Sequence, residues 1–183
     1  MKLAGFYAAA ARSITPAGTR QRGFTLFELL VVIVIFSILI AYLLSKVFDN
    51  LEIAEKSAME TQRMMMRAGM DLHIAGLMTA GREKEIPRVR GINPVEWLRE
   101  PPANYLGAFP SEPQQASGDG GWYFDTTARE IVYTPKRHSH LKPGKDGRYR
   151  VRFHVVTNSV NDRSSREITW PVLVPAEPYA WFK

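Results

Sequence analysis

The sequence predicts an α+β protein in which a long N-terminal helix packs on an antiparallel sheet of roughly four strands. Three observations predict this class. Residues 24–44 form an almost uninterrupted apolar run, residues 45–80 contain good helix formers and no proline, and residues 122–174 alternate between strand patterns and turn residues. The chain of 183 residues is long enough for one domain with an appended segment.

The composition is that of a globular protein, with 45% hydrophobic and 23% charged residues. The absence of cysteine excludes a disulfide framework, a thiolate metal site and a cysteine nucleophile. Residues 1–23 carry four basic side chains and no acidic one, whereas the other 160 residues carry 20 basic and 18 acidic side chains. The net charge of +6 is therefore mostly a property of the first 23 residues and does not indicate a folded nucleic-acid surface.

The apolar run at residues 24–44 contains 21 residues and a single charged one, Glu28. A helix of this length extends about 31 Å, which matches the hydrocarbon core of a bilayer. The run is too long for a secretory signal peptide and shows no polar stripe, so it predicts a membrane span. Arg12, Arg20 and Arg22 precede it, and the charges that follow nearly cancel, which predicts a cytoplasmic N-terminus and an exported C-terminal part.

Glu28 is the unusual residue of this run, because an ionisable side chain in hydrocarbon is costly and indicates a functional site. Nothing nearby in the sequence pairs with it. If the chain were cut just before Phe24, a new α-amine and the positive end of the helix would both face the Glu28 carboxylate.

The segment Arg22-Gly23-Phe24-Thr25-Leu26-Phe27-Glu28, followed by the apolar run, resembles the class III signal of type IV pilins and type II secretion pseudopilins. The resemblance implies that a prepilin peptidase removes the leader, residues 1–23, by cutting after Gly23. Phe24 would become the N-methylated N-terminus. Glu28 would then stand at the fifth mature position, where its carboxylate meets the amine of a neighbouring subunit and sets the register of assembly.

The resemblance also implies where the protein works and with what. The expected partners are the prepilin peptidase, other pilin or pseudopilin subunits, an inner-membrane assembly platform, and membrane lipid before assembly. The protein is expected to cross the inner membrane once, with its C-terminal domain in the periplasm, and to enter a filament that serves as a pilus or in protein transport. No cysteine pair closes a C-terminal loop, which favours a minor pilin or a pseudopilin. No cofactor is expected.

The predicted helix continues beyond the membrane as an amphipathic half at residues 45–80, with Glu52 and Lys56 spaced as an ion pair and Gly81 as its C-terminal stop. One helical face and the positions beside it carry small and apolar residues. Those on the face are Leu51, Ala54, Ala58, Met65, Leu72 and Gly76, and those beside it are Met59, Met66, Met70 and Leu77. The methionine cluster is interpreted as packing under a sheet or between subunits.

Residues 81–121 are rich in proline and glycine and predict a connecting region with at most one short helix, near residues 94–99. Residues 122–183 predict the sheet domain. A hairpin joins residues 122–124 to residues 130–134, a third strand covers residues 149–157, a polar turn covers residues 158–166, and a fourth strand covers residues 167–174. Pro171 marks an edge strand or a bulge.

Three groups of polar residues are candidate sites: three histidines, four aspartates and a basic cluster. His138, His140 and His154 could supply imidazoles to a metal, but prolines and Gly144 indicate a solvated loop, so no metal site is predicted. Calcium in the turns is left open at low priority because no EF-hand spacing is present. The aspartates concerned are Asp119, Asp125, Asp146 and Asp162.

A basic cluster at residues 136–152 includes Arg148, Arg150 and Arg152, with Tyr149 and Phe153 interleaved. It is the candidate contact with DNA or a surface. A solvated strand edge that discourages pairing with other sheets is the favoured interpretation, so nucleic acid is not expected as a partner.

The favoured function is a structural subunit, a minor pilin or pseudopilin, that assembles through its N-terminal helix. One alternative is a filament-associated module that binds DNA or a surface through the basic strand. Another is an uncleaved, membrane-anchored periplasmic enzyme or sensor domain. The sequence contains no Ser-His-Asp motif, phosphate loop, zinc-protease motif or paired catalytic carboxylates, so an enzyme is not predicted.

Overall fold

The computed structural model describes residues 24–116, 120–161 and 167–182. Helix α1 (Leu26–Thr79) is followed by two 3₁₀ helices, Glu83–Val89 and Pro94–Trp97. Five strands complete the chain: β1 (Tyr105–Phe109), β2 (Gly121–Asp125), β3 (Glu130–Thr134), β4 (Val151–Asn161) and β5 (Glu167–Pro175). The predicted α+β class, with a long N-terminal helix and a mostly antiparallel sheet, is confirmed.

The chain divides into two compact units, Met1–Leu43 and Leu44–Lys183. In the described part of the first unit the large apolar side chains are exposed, among them Leu26, Phe27 and Ile38. Among the described residues, α1 is the one helix whose length and composition suit a membrane crossing, and its apolar window lies near the N-terminus. This agrees with the span predicted at residues 24–44.

The second unit is built on a sheet with the strand order β1-β2-β3-β4-β5. The predicted hairpin is confirmed as β2–β3, and it pairs Trp122 with Tyr133. Its turn is closed by Asp125, whose Oδ1 accepts hydrogen bonds from the backbone of Thr127 and Ala128. In the sheet order β5 pairs with β4 alone, so Pro171 lies in an edge strand, where a missing N–H is tolerated.

The prediction for residues 81–121 was wrong in two respects. This region contains two 3₁₀ helices instead of one at most, and it contributes β1, a fifth strand that runs parallel to β2. Strand β1 is short, includes Gly107 and has an irregular register between Tyr105 and Ala108. Its pairing depends on contacts such as the Trp122 N–H donating to the Asn104 carbonyl at 3.0 Å, which local sequence patterns do not reveal.

Helix α1 ends where the sequence predicts. Gly81 has a φ of +67°, a conformation that glycine adopts without strain. The Arg82 N–H donates to the Leu77 carbonyl at 2.8 Å, and the Gly81 N–H donates to the Met78 carbonyl at 3.1 Å. This pair of bonds is a Schellman motif, which satisfies carbonyls that the end of a helix would leave without partners.

The face of α1 that is buried lies next to the face that the sequence periodicity predicted to be buried. Residues on the face defined by Leu51, Ala54, Ala58, Met65, Leu72 and Gly76 are exposed. The buried apolar residues are Met59, Met66, Met70, Ile74 and Leu77, which pack in one core with Trp122, Phe153 and Trp181. Both sets satisfy helical spacing, so periodicity could not decide which one the sheet covers. The predicted packing role of the methionines under a sheet holds for Met59, Met66 and Met70.

Candidate functional site

The first turn of α1 contains Glu28, which the prepilin resemblance singled out, and Phe24 lies two residues before the helix begins. Thr25 caps the helix, because its Oγ1 accepts a hydrogen bond from the Glu28 backbone N–H at 3.2 Å and its carbonyl accepts one from the Leu29 N–H at 3.0 Å. The Thr-x-x-Glu spacing is that of a capping box. Phe24 and Glu28 are exposed, whereas Gly23 lies outside the described residues. The Glu28 carboxylate is therefore open to a partner at the positive end of the helix.

The three arginines of the basic strand are held by carboxylates. Arg150 pairs with Asp146 and lies 3.6 Å from Glu112, and Arg148 lies 2.8 Å from Glu112. Arg152 lies 3.5 Å from Glu130 and 3.1 Å from Glu177. The exposed fraction is 14% for the Arg150 side chain, 26% for Arg152 and 59% for Arg148. Of these three, Arg148 alone presents most of its surface to a partner.

The structure does not bring the three histidines together. The His138 ring stacks on Tyr149 at 4.2 Å, the His140 ring stacks on Phe182 at 4.5 Å, and the His154 Nδ1 is buried without a partner. Within the described ranges, no group of three or more histidine, cysteine, aspartate or glutamate residues is placed to hold a metal ion.

Two of the four candidate calcium ligands have other roles, and two lie outside the described residues. Asp125 closes the β2–β3 turn, and Asp146 pairs with Arg150. Burial raises the pKa of the Asp146 carboxyl. Hydrogen bonds from the Arg148 backbone and the Arg150 guanidinium lower this pKa by a larger amount, so it lies below its ordinary value. Asp119 and Asp162 belong to the undescribed segments. Calcium binding stays a prediction.

Sequence reasoning missed a pair of glutamates on α1. The Glu52 side chain is almost fully buried. Its Oε1 accepts hydrogen bonds from the His140 backbone N–H and from the Trp181 indole, both at 2.9 Å, and its Oε2 lies 2.9 Å from the His140 Nδ1. Burial raises the pKa of Glu52, but the bonds from His140 and Trp181 outweigh it, so the pKa lies below its ordinary value.

Glu55, one turn further along α1, holds the start of the same loop. Its carboxylate accepts hydrogen bonds from the backbone N–H groups of Lys136 and Arg137 and from the Tyr133 hydroxyl. Burial, and then the charge of Glu55, raise the pKa of Tyr133. We call this set the clasp: Glu52, Glu55, residues 136–140 and Trp181. It fastens the loop and the C-terminal segment to α1.

Two sequence features bear on the clasp. Glu52 precedes Met59 by seven residues and Met66 by fourteen, so all three lie on the same, buried face of α1. An acidic residue at such a position is the sequence signal that could have indicated the clasp. The Glu52–Lys56 ion pair expected from the sequence is wrong. Glu52 binds His140 and Trp181 instead, whereas Lys56 lies 3.9 Å from Glu60 and donates to the Trp181 carbonyl at 2.8 Å.

Comparison with known families identifies the N-terminal segment. Residues 18–44 match the family model for the prokaryotic N-terminal methylation motif, which is the prepilin-type cleavage and methylation signal of type IV pilins and pseudopilins. No curated protein and no solved structure matches the chain. The match supports a type IV pilin-like or pseudopilin-like protein that is processed by a prepilin peptidase and anchored in a membrane.

Proposed function

We propose that this protein is a structural subunit, a minor pilin or a pseudopilin, of a type IV pilus or a type II secretion-like filament. The observation that carries the proposal is the methylation motif at residues 18–44, located where the apolar half of α1 begins. A long helix attached to a mostly antiparallel sheet is the architecture that such a subunit requires.

Cleavage after Gly23 prepares the helix for transfer out of the membrane. It removes the basic side chains of residues 1–23, which anchor the N-terminus in the cytoplasm. The remaining apolar half of α1 packs about as favourably against other apolar helices as against lipid tails. Transfer into a filament then costs little for the body of the helix.

Glu28 supplies what the apolar packing lacks, which is a preference for one register. A carboxylate in apolar surroundings needs a positively charged partner, and the N-methylated amine of a neighbouring Phe24 is the complementary group. The Glu28 side chain is exposed, so it is available for this contact.

The first test is the mass of the N-terminal peptide of protein from the membrane fraction, produced with and without a prepilin peptidase. We expect a peptide that begins at N-methylated Phe24 only when the peptidase is present. A leader that stays intact in both samples would make the protein an uncleaved membrane-anchored domain.

The role of Glu28 is tested by Glu28→Gln, which removes the charge and keeps the shape. We expect processing to continue and the amount of sheared filament to fall at least about tenfold, because register then lacks its charged contact. Glu60→Gln, on a partly exposed part of α1, is the matched control and should assemble normally. Filaments formed by Glu28→Gln at the normal level would contradict the assignment.

The alternative function, contact with DNA or a surface through Arg148, Arg150 and Arg152, stays a prediction. The ion pairs of these residues leave Arg148 as the main exposed charge among the three.

A further inference from the structure

The amphipathic half of α1 contains two sets of methionines with opposite exposure. Met64 is 56% exposed and Met65 is 57% exposed, whereas Met59, Met66 and Met70 are 0% exposed. Exposure therefore falls from 57% to 0% between two consecutive residues, Met65 and Met66. The packing of the sheet, and not the residue type, distinguishes the members of this run.

The geometry of an α-helix explains this division. Met66 lies on the face of α1 that packs in one core with Trp122 and Phe153. Successive residues are rotated by about 100° around the helix axis, so Met65 and Met64 are turned away from Met66 by about 100° and about 200°. Neither side chain belongs to the buried core, and both are accessible to small molecules in solution.

The chemistry open to an exposed methionine is oxygen transfer from a peroxide. The thioether sulfur forms a bond to one peroxide oxygen, the O–O bond breaks, and the other oxygen leaves as water or as an alcohol. The sulfur loses two electrons and the peroxide gains them, so no further reactant is required. The product is methionine sulfoxide, which is polar. Access of the peroxide to the sulfur therefore decides which methionines of α1 react.

The position of each methionine also determines what its oxidation changes. A sulfoxide at Met66 would place a polar S=O group in the core, where water is excluded, and this costs free energy. At Met64 and Met65 the S=O groups stay in contact with water. Met65 shares its exposed helical face with Leu51 and Leu72, so oxidation makes this face more polar and leaves the packing under the sheet intact.

We propose that Met64 and Met65 are a site of oxidative modification, at which a hydroperoxide converts two exposed thioethers of α1 to sulfoxides while the core methionines are protected. The modification changes the polarity of the exposed face of the helix. The inference depends on side-chain exposure in the single chain and not on removal of the leader or on filament assembly. It therefore stands or fails independently of the proposed function.

The test treats the full chain in phosphatidylcholine nanodiscs with hydrogen peroxide and follows each methionine by mass spectrometry. Trypsin cuts after Arg63 and Arg67, so the three consecutive methionines are recovered in one short peptide, whose fragment ions assign each added oxygen. We expect Met64 and Met65 to gain oxygen at least about tenfold faster than Met66, because Met66 reacts only when the core opens.

Two matched variants separate the effect of exposure from that of residue type. Met64→Leu with Met65→Leu should remove the rapid phase of oxygen uptake. Met66→Leu with Met70→Leu removes two buried methionines and should leave the rapid phase unchanged. Leucine and methionine have similar volumes, so both variants should fold, which circular dichroism checks. In urea, where the core is absent, Met66 of the parent chain should react as fast as Met65.

Three outcomes would overturn the proposal. Oxidation of Met66 as fast as that of Met65 in the folded chain would mean that the sheet does not protect the core. Oxidation of Met64 and Met65 as slow as that of Met59 would mean that both side chains are covered. A loss of the near-ultraviolet circular dichroism of the tryptophans in step with oxidation of Met64 and Met65 would mean that the modification disrupts the core.

Discussion

Glu52 connects segments that are far apart in the chain, since its hydrogen-bond donors in His140 and Trp181 lie 88 and 129 residues further on. A buried carboxylate with three donors is stable only while all of them stay in place. Within the clasp, Glu52 is the side chain of α1 that binds both the loop and the C-terminal segment.

Glu52→Ala should lower the free energy of unfolding by about 2–5 kcal/mol, because it leaves the buried Trp181 indole and the part-buried His140 N–H without an acceptor. Urea unfolding of the detergent-solubilised chain, followed by near-ultraviolet circular dichroism of the tryptophans, measures the change. Glu60→Ala removes a partly exposed acid from the same helix and should stay within about 0.5 kcal/mol of the parent. Similar values for the two variants would contradict the role of the clasp.

The pKa of Glu52 predicts a dependence of stability on pH. In the folded chain this pKa lies below the ordinary value of 4.5. The contribution of the carboxylate is therefore complete above pH 4.5 and is lost as the pH falls through the folded pKa.

Asp146, whose pKa is also lowered, acts in the same direction, so the wild-type curve alone does not isolate Glu52. The difference in unfolding free energy between wild type and Glu52→Gln should shrink between neutral pH and acid. A difference that stays constant from pH 7 to about pH 3 would refute this account.

At the scale of elements, two glycines near the C-terminal end of α1 have different structural roles. The space around the Cβ positions of Gly76 and Gly81 is open, so a methyl group would meet no neighbour at either one. Gly76 is inside α1, whereas Gly81 terminates it with a positive φ. The two positions therefore differ in backbone conformation and not in the space available for a side chain.

Gly76→Ala should raise the unfolding free energy by up to about 1 kcal/mol, because alanine loses less conformational entropy in a helix. Gly81→Ala should lower it by about 1 kcal/mol, because alanine is strained at positive φ. The urea midpoints of the two variants, measured side by side, should move in opposite directions. A shift of both midpoints in the same direction would mean that the Schellman ending does not constrain the helix.

Strand β1 is the element that depends most on distant contacts. A Cβ at Gly121 would lie 2.6 Å from the Asn104 carbonyl oxygen, so the β1–β2 junction tolerates no side chain there. Proline and glycine around β1 predict a connection, and the strand forms because β2 offers a free edge beside it. The local sequence predicts a loop here, but pairing with β2 makes the segment a strand.

At the scale of the whole molecule, the chain combines an apolar helical half with a unit that has its own core. The core of the second unit joins α1 to the sheet through buried side chains such as Met66, Trp122 and Phe153. Trp122 also donates through its indole to Gln62 on α1 at 2.6 Å. All of these contacts lie within Leu44–Lys183.

We therefore expect residues 44–183, expressed without the apolar half, to fold as a water-soluble unit. Removing the apolar half takes away exposed hydrophobic side chains, which favour association in water. Thermal unfolding followed by circular dichroism should show one cooperative transition. A fragment that binds hydrophobic dyes and melts without a transition would show that the span is needed for the fold.

Much of the molecule was readable from local sequence. The apolar run predicts the span because 21 consecutive residues contain one charge, and Gly81 predicts the end of α1 because glycine tolerates a positive φ. The β2–β3 hairpin and the position of β5 follow from alternation and turn residues. The predicted turn at residues 158–166 was wrong at its start, because β4 continues through Asn161 and residues 158–161 pair with β5. The prepilin-type signal follows from consecutive residues around Gly23, which the family match confirms.

The remaining features depend on contacts between residues far apart in the chain. Two helical faces of α1 were nearly equivalent, and the sheet covers the one with Met59 and Met66. The Glu52 clasp, the parallel strand β1 and the carboxylates around Arg150 each join segments that no local pattern connects. Local spacing encodes helices, strands and the membrane run because these depend on near neighbours. The choice of face, partner and buried charge depends on energies that exist only once distant segments are packed together.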